Sequence, residues 1–167
     1  MKKILSLLEI ITLIGTSTTS LVACNTPNEY TPEELAKLKE ENKINTTNQT
    51  IRDNLEWMAS QESPFNEDKY YYVIWRGNKN DNWRIVKFKH YNDNGQKVID
   101  NYDIYKLISS NDEKKLFNLF ILKEPVSYFW LKKDDGTHFK SVYRWNLDTQ
   151  EPTLIIDDKG NVKFNGE

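Results

Sequence analysis

Few side chains in this sequence have a type and spacing that could do chemistry. The two histidines, His90 and His138, stand apart near expected strand ends. With no His-x-x-x-His spacing and no cysteine beside them, they do not build a zinc site and read as surface or turn residues. Asn92-Asp93-Asn94-Gly95 has part of the texture of a calcium loop. An EF-hand register, however, would put His90 at the first ligand position and Asn101 at the twelfth, where carboxylates are required. Asp134-Asp135-Gly136 and Asp157-Asp158 place carboxylates in turns, where aspartate bonds its own backbone. Acid and base work would need two of them to face each other across a cleft. No phosphate-cradling glycine loop and no nucleophile elbow occurs, so neither cofactor nor metal is expected.

What remains is an aromatic excess and one cysteine. Trp75, Trp83, Trp130 and Trp145, with Tyr70, Tyr71, Tyr72, Tyr128 and Tyr143, are many large rings for a small domain. They either fill the core in place of scarce aliphatics or stack on a ligand at the sheet surface, as aromatics do on sugars and on a partner's hot spots. The four tryptophans are the candidate ligand-stacking residues.

Cys24 is the only cysteine, and it follows a segment laid out like a secretory signal. Lys2 and Lys3 lead an apolar run from Ile4 to Ile14, then Gly15-Thr16-Ser17-Thr18-Thr19-Ser20, then Leu21-Val22-Ala23-Cys24. The last four residues resemble the lipobox of bacterial lipoproteins. That resemblance implies diacylglyceryl transfer to the Cys24 thiol and cleavage between Ala23 and Cys24, leaving residues 24–167 anchored at the extracellular face of the cell membrane. The apolar run is too short to span, which takes about 20 residues. Glu9 interrupts it, at a cost of roughly 2.5–3.5 kcal/mol against roughly 0.3–0.6 gained per Leu or Ile. The eight Leu and Ile residues of the run nearly cancel that cost, so export survives but is slowed.

Cleavage would remove Lys2, Lys3 and Glu9 from 23 basic and 25 acidic residues, leaving 21 against 24. So neutral a balance excludes nucleic-acid binding driven by phosphate contacts, and no polybasic block supports a headgroup patch. With Cys24 acylated no thiol is left for a disulfide, and the fold rests on its apolar core.

The elements that would carry these residues begin with Thr31-Pro32-Glu33-Glu34, a helix start with a capping box. A helix to about Lys43 follows, with only Leu35 and Leu38 large and apolar, so residues 24–50 read as a lipidated N-terminus and polar tether. Residues 51–167 read as the globular domain. Ile51 to Met58 suggests a second short helix. Tyr70 to Arg76 and Trp83 to His90 read as a hairpin, Val98 to Leu107 as a strand, and Asn111 to Leu122 as a helix, with a strand from Leu116 as its competitor. Phe139 to Leu147 alternates, with Phe139, Ser141, Tyr143, Trp145 and Leu147 on one face. Leu154-Ile155-Ile156 and Val162-Lys163-Phe164 form a last hairpin. The fold class is α+β: a small, mainly antiparallel sheet with one or two packed helices.

Several tracts resemble spiroplasma-type surface lipoproteins of wall-less bacteria. They are the lipobox followed by Asn25-Thr26-Pro27, Tyr30 to Leu35, Asp53 to Trp57, Trp75-Arg76-Gly77 and Asn82 to Phe88. The resemblance implies a lipid-anchored surface protein and carries no assigned biochemistry. The expected function is a binding or adhesion module for an extracellular protein or glycan. The alternatives are a small surface hydrolase using the turn carboxylates, and the solute-binding lipoprotein of an importer. Nothing in the residues fixes the ligand or the oligomeric state.

Overall fold

The structure is a computed structural model that describes residues 29–62, 65, 68–91, 95–111, 117–130 and 135–166. The expected lipobox, with Ala23 and Cys24, lies outside the described residues, as do Asn92-Asp93-Asn94 and Asp134.

Among the described residues there are ten strands, each paired antiparallel with a neighbour. They are β1 Leu55–Trp57, β2 Tyr70–Trp75, β3 Arg84–Lys89, β4 Gly95–Tyr102, β5 Tyr105–Asn111, β6 Phe117–Lys123, β7 Val126–Phe129, β8 Phe139–Trp145, β9 Leu154–Ile156 and β10 Val162–Phe164. Two α-helices precede them, α1 Pro32–Glu41 and α2 Gln49–Asn54. The single expected sheet is instead two four-stranded sheets, β1-β8-β2-β3 and β4-β5-β6-β7, plus the β9-β10 hairpin.

Three layers result. Tyr71, Val73, Trp75, Phe139 and Val142 of the first sheet meet Tyr105, Leu107, Leu119 and Ile121 of the second, with Met58 and Phe65 filling in. On the other face of the first sheet Tyr72, Ile74, Tyr143 and Trp145 meet Ile44, Ile51, Leu55, Leu154 and Val162. The first sheet is therefore buried on both faces. This is why Tyr71 to Trp75 are all apolar or aromatic and all at most 2% exposed, a run expected of a two-sided strand rather than of an alternating one.

Sequence and structure part at four places. Residues 117–123, expected to continue a helix, are a strand bonded to β5 on one side and β7 on the other. Its large apolar residues occur at both parities, a pattern that fits a helix face and a two-sided strand equally, and pairing on both edges decides it. Residues 112–116 of that expected helix are outside the described residues. The expected helix from Ile51 stops at Asn54, because Leu55, Glu56 and Trp57 pair with Trp145, Arg144 and Tyr143. The expected strand from Val98 to Leu107 is two strands. They are folded at Asp103, whose φ of 54° is left-handed, a conformation that Asp tolerates better than most residues.

The fourth departure is at Phe139. Ile74 pairs with Ser141 and Trp75 with Phe139, so Lys140 is an extra residue and the alternation inverts. Phe139 enters the core between the sheets with Val142, whereas Ser141, Tyr143 and Trp145 take the other face.

The capping box at Thr31 forms as expected: Thr31 N–H donates to Glu34 Oε2 at 2.9 Å and Glu34 N–H to Thr31 Oγ1 at 3.2 Å. No residue of α1 is buried. The stretch is nevertheless joined to the domain. Lys39 bridges Glu56 and Glu62, the Tyr143 hydroxyl donates to the Asn42 carbonyl at 3.0 Å, and Ile44 and Thr46 are 7% and 6% exposed. The helix itself packs little, in keeping with its two large apolar residues, and the connection after it is what joins the domain, at Ile44 and Thr46.

Candidate functional site

The covering of the first sheet leaves a cleft of about 640 Å³ between the α1–α2 connection, β8 and the β9-β10 turn. Each wall follows from local sequence. Asn48 caps α2 by accepting from Ile51 N–H at 3.2 Å, which holds the preceding connection across β8. Asp157 closes the opposite wall. Its carboxylate accepts from Lys159 N–H, Asn161 N–H and Asn161 Nδ2 at 2.9–3.0 Å. Gly160 turns the chain at φ 75°, and a Cβ there would come within 2.6 Å of the Trp83 ring and 2.8 Å of Lys140. Only glycine fits.

Lys43, Lys140 and Lys163 line this cleft, with Asn42, Asn45 and Asn161, and with the carboxylates of Glu41 and Asp157. Lys43 pairs with exposed Glu40 at 2.6 Å and Lys163 with Asp157 at 3.9 Å. Lys140 lies 5.7 Å from the Trp83 ring centroid, and among the described residues it forms no ion pair. The floor includes Tyr143, whose phenol is pushed up by burial, with a Ser141 hydrogen bond working weakly the other way. Its hydroxyl, un-ionised at neutral pH, is already given to the Asn42 carbonyl, so the lysines are what the cleft has to offer an acceptor.

Catalytic geometry is not assembled there. Hydrogen bonds from Asn161 and from the turn backbone hold the Asp157 carboxyl below the usual range, and those from Thr137 do the same for Asp135. Each is a committed acceptor in its own turn. Among the described residues no group of three His, Cys, Asp or Glu side chains could hold a metal ion.

The four candidate tryptophans are not brought together. Trp75 is fully buried and donates from Nε1 to Asp100 at 3.2 Å, and Trp145 is 2% exposed and donates to the Thr149 carbonyl at 3.2 Å. Neither can stack on a ligand. Both are core residues whose N–H handles are satisfied inside. Trp130 packs edge-on against Phe65 at 5.8 Å at the margin of the core between the sheets. Trp83 stands behind the cleft wall, with Arg76 4.1 Å above its ring; it supports Gly160 and Lys140 and does not offer a free face. Of the two histidines His90 departs from expectation, 5% exposed and set edge-on to Phe65 and Tyr71, whereas His138 lies in the bend before β8 and stacks on Tyr128 at 3.9 Å.

The cleft lysines escaped the sequence reading because they come from three distant segments. Lys140 carries no local signal either, because the break in alternation beside it is set by the register to β2. Comparison with protein-family models, curated proteins and solved structures finds no match. No described helix is long and apolar enough to cross a membrane.

Proposed function

We propose that this is a surface lipoprotein: a signal peptide over residues 1–23, an acyl anchor on Cys24, a short helical connection through α1, and a domain that binds ligand just outside the membrane. The anchor reading rests on Leu21-Val22-Ala23-Cys24 closing a short apolar segment. The binding reading is carried by one observation, a cleft lined by Lys43, Lys140, Lys163 and three asparagines against the carboxylates of Glu41 and Asp157. Donors in that number suit an acceptor-rich ligand, and an acidic glycan meets the chemistry best. A hydrolase built on turn carboxylates lacks support, since Asp135 and Asp157 are each held by their own loop. Nothing in the site favours an importer receptor over a binding module.

The test has two arms. On a mixed array, the full chain should bind acidic glycans over neutral ones, and Lys140→Ala with Lys163→Ala should weaken binding at least tenfold. Equal binding by the variant, or a preference for neutral glycans, rejects the cleft. Separately, the protein should partition into detergent with the mass of an acylated, processed chain, and Cys24→Ser should abolish both properties. Identical partitioning and mass in Cys24→Ser would reject the anchor.

A further inference from the structure

The lysine cleft is one end of a longer groove. A second cavity of about 480 Å³ lies beside it, within the roughly 300–1,000 Å³ of small-ligand sites. Both open on the seam between the α1–α2 segment and β10: residues 41–45 and 160–164 line the first, and Asn48, Thr50, Ile51, Phe164 and Asn165 line the second. Both also stand on one row of β8. Ser141 and Tyr143 line the first cavity and Trp145 the second, and these alternate residues share a strand face over about 13 Å, longer than a single sugar ring. Phe164 is half-buried and lines both cavities. The Gly166 backbone lies so close to its ring that a Cβ there would come within 2.5 Å, which holds the ring at the junction.

The second cavity is neutral where the first is charged. Its polar side chains are Asn48, Thr50, Thr149, Gln150, Thr153 and Asn165, and among the described residues that line it the one charged side chain is Glu151. Lys87 takes that carboxylate at 2.5 Å. The wall formed by residues 146–153 is fixed from the sheet side. Lys69 donates to the Asn146 carbonyl at 2.8 Å and to Asp148 at 2.6 Å, the Tyr72 hydroxyl to the Pro152 carbonyl at 2.6 Å, and Trp145 Nε1 to the Thr149 carbonyl at 3.2 Å. Both acids of the wall are thereby bound to lysines, and the wall needs no ligand to form. Amides and hydroxyls donate and accept alike, so this cavity suits a partner that does the same, with the Phe164 ring as an apolar platform.

We propose that the groove binds a linear glycan in which an acidic sugar is joined to a neutral one, the acid among Lys43, Lys140 and Lys163 and the neutral ring in the second cavity against Phe164. This deepens the acidic-glycan reading of the cleft and rests on it. A sugar ring carries hydroxyls at its rim and C–H groups on its face, which matches amides and hydroxyls around an aromatic ring. A uniformly acidic chain would set a second carboxylate against neutral amides, and a uniformly neutral one would leave the lysines unmatched. An acidic peptide would meet the lysines equally well but has no hydroxyl rim for the second cavity.

Calorimetric titration of the full chain in detergent with three tetrasaccharides tests this: alternating glucuronate and N-acetylglucosamine, all galacturonate, and all N-acetylglucosamine. The alternating chain should bind at least tenfold more tightly than either uniform one. Gln150→Ala with Asn165→Ala changes two exposed positions; it should keep the parent's melting temperature and its galacturonate titration while erasing the preference for the alternating chain. Lys140→Ala with Lys163→Ala should weaken both acidic ligands. Equal affinity for the alternating and all-galacturonate chains overturns the second site while leaving the acidic cleft standing, and so does a preference that survives Gln150→Ala with Asn165→Ala. Failure of both acidic chains to bind rejects the cleft and this proposal with it. A glutamate tetrapeptide that binds as tightly as the alternating glycan also overturns it, giving the groove to a peptide.

Discussion

The two outer faces of the stacked sheets are made from similar residues and treated in opposite ways. Tyr72, Ile74, Tyr143 and Trp145 on the first sheet are roofed by Ile44, α2 and the β9-β10 hairpin. Val98, Ile108, Phe120 and Phe129 on the second have no described element above them. The roof is also what makes the cleft, since its walls are the α1–α2 connection and the hairpin turn. Covering a sheet thus yields stability and a site together.

The comparison breaks most visibly by deletion. A chain starting at Tyr70 lacks β1 together with Leu55, Met58 and Phe65, each at most 4% exposed. It should show no cooperative thermal transition, because several contacts of roughly 1.5–3 kcal/mol each exceed what a domain of about 5–15 kcal/mol can lose. A chain starting at Asn48 removes less: Ile44, the Lys39 bridges and the Tyr143 bond to Asn42. It should melt cooperatively, with a loss of about 2–4 kcal/mol. A melt unchanged by that deletion would return residues 29–47 to the role of a solvated tether.

Single substitutions sharpen the same contrast. Leu154→Ala under the roof should cost about 2–4 kcal/mol, whereas Phe129→Ala, measured on dilute chain, should stay within about 0.5 kcal/mol, as surface changes do. Matching costs in a denaturant series would mean that both faces are covered.

Acid supplies the smallest and most local probe. Burial pushes the Glu56 carboxyl up, but hydrogen bonds from Lys39 and Asn146 and the charges of Arg144 and Lys39 outweigh it and hold it below its ordinary value. A lowered folded pKa contributes stability above the unfolded value, about 4.3, and loses it as pH falls through the folded one. Glu56→Gln should therefore flatten the acid limb of stability below about pH 4.3 while lowering stability at neutral pH. An acid limb identical to the parent's would show that this bridge does not hold α1 to the sheet.

Local signals survived into the structure wherever they were two-residue or four-residue affairs. The capping box at Thr31 forms, Tyr70–Trp75 pairs with Arg84–Lys89, and Leu154–Ile156 pairs with Val162–Phe164. Signals that depend on distant partners did not. Nothing in Phe117–Lys123 tells a helix from a strand until β5 and β7 are beside it. The extra residue Lys140 is invisible without the register to β2, and so is Ile99, which lets Val98 face outward and Asp100 inward to Trp75 and Arg84. The division into two sheets, and with it the cleft, follows from those bulges and pairings. Of the two readings of the aromatic excess, core filling and ligand stacking, Trp75 and Trp145 take the first.

Hydroxyl-radical footprinting of the full chain across a dilution series reads both outer faces in one experiment. The account predicts that Val98 and Phe129 are labelled severalfold faster than Leu154 and Trp145 at every concentration. Oxidation of Leu154 and Trp145 as fast as Phe129, or a Phe129 protected at all dilutions, would contradict it.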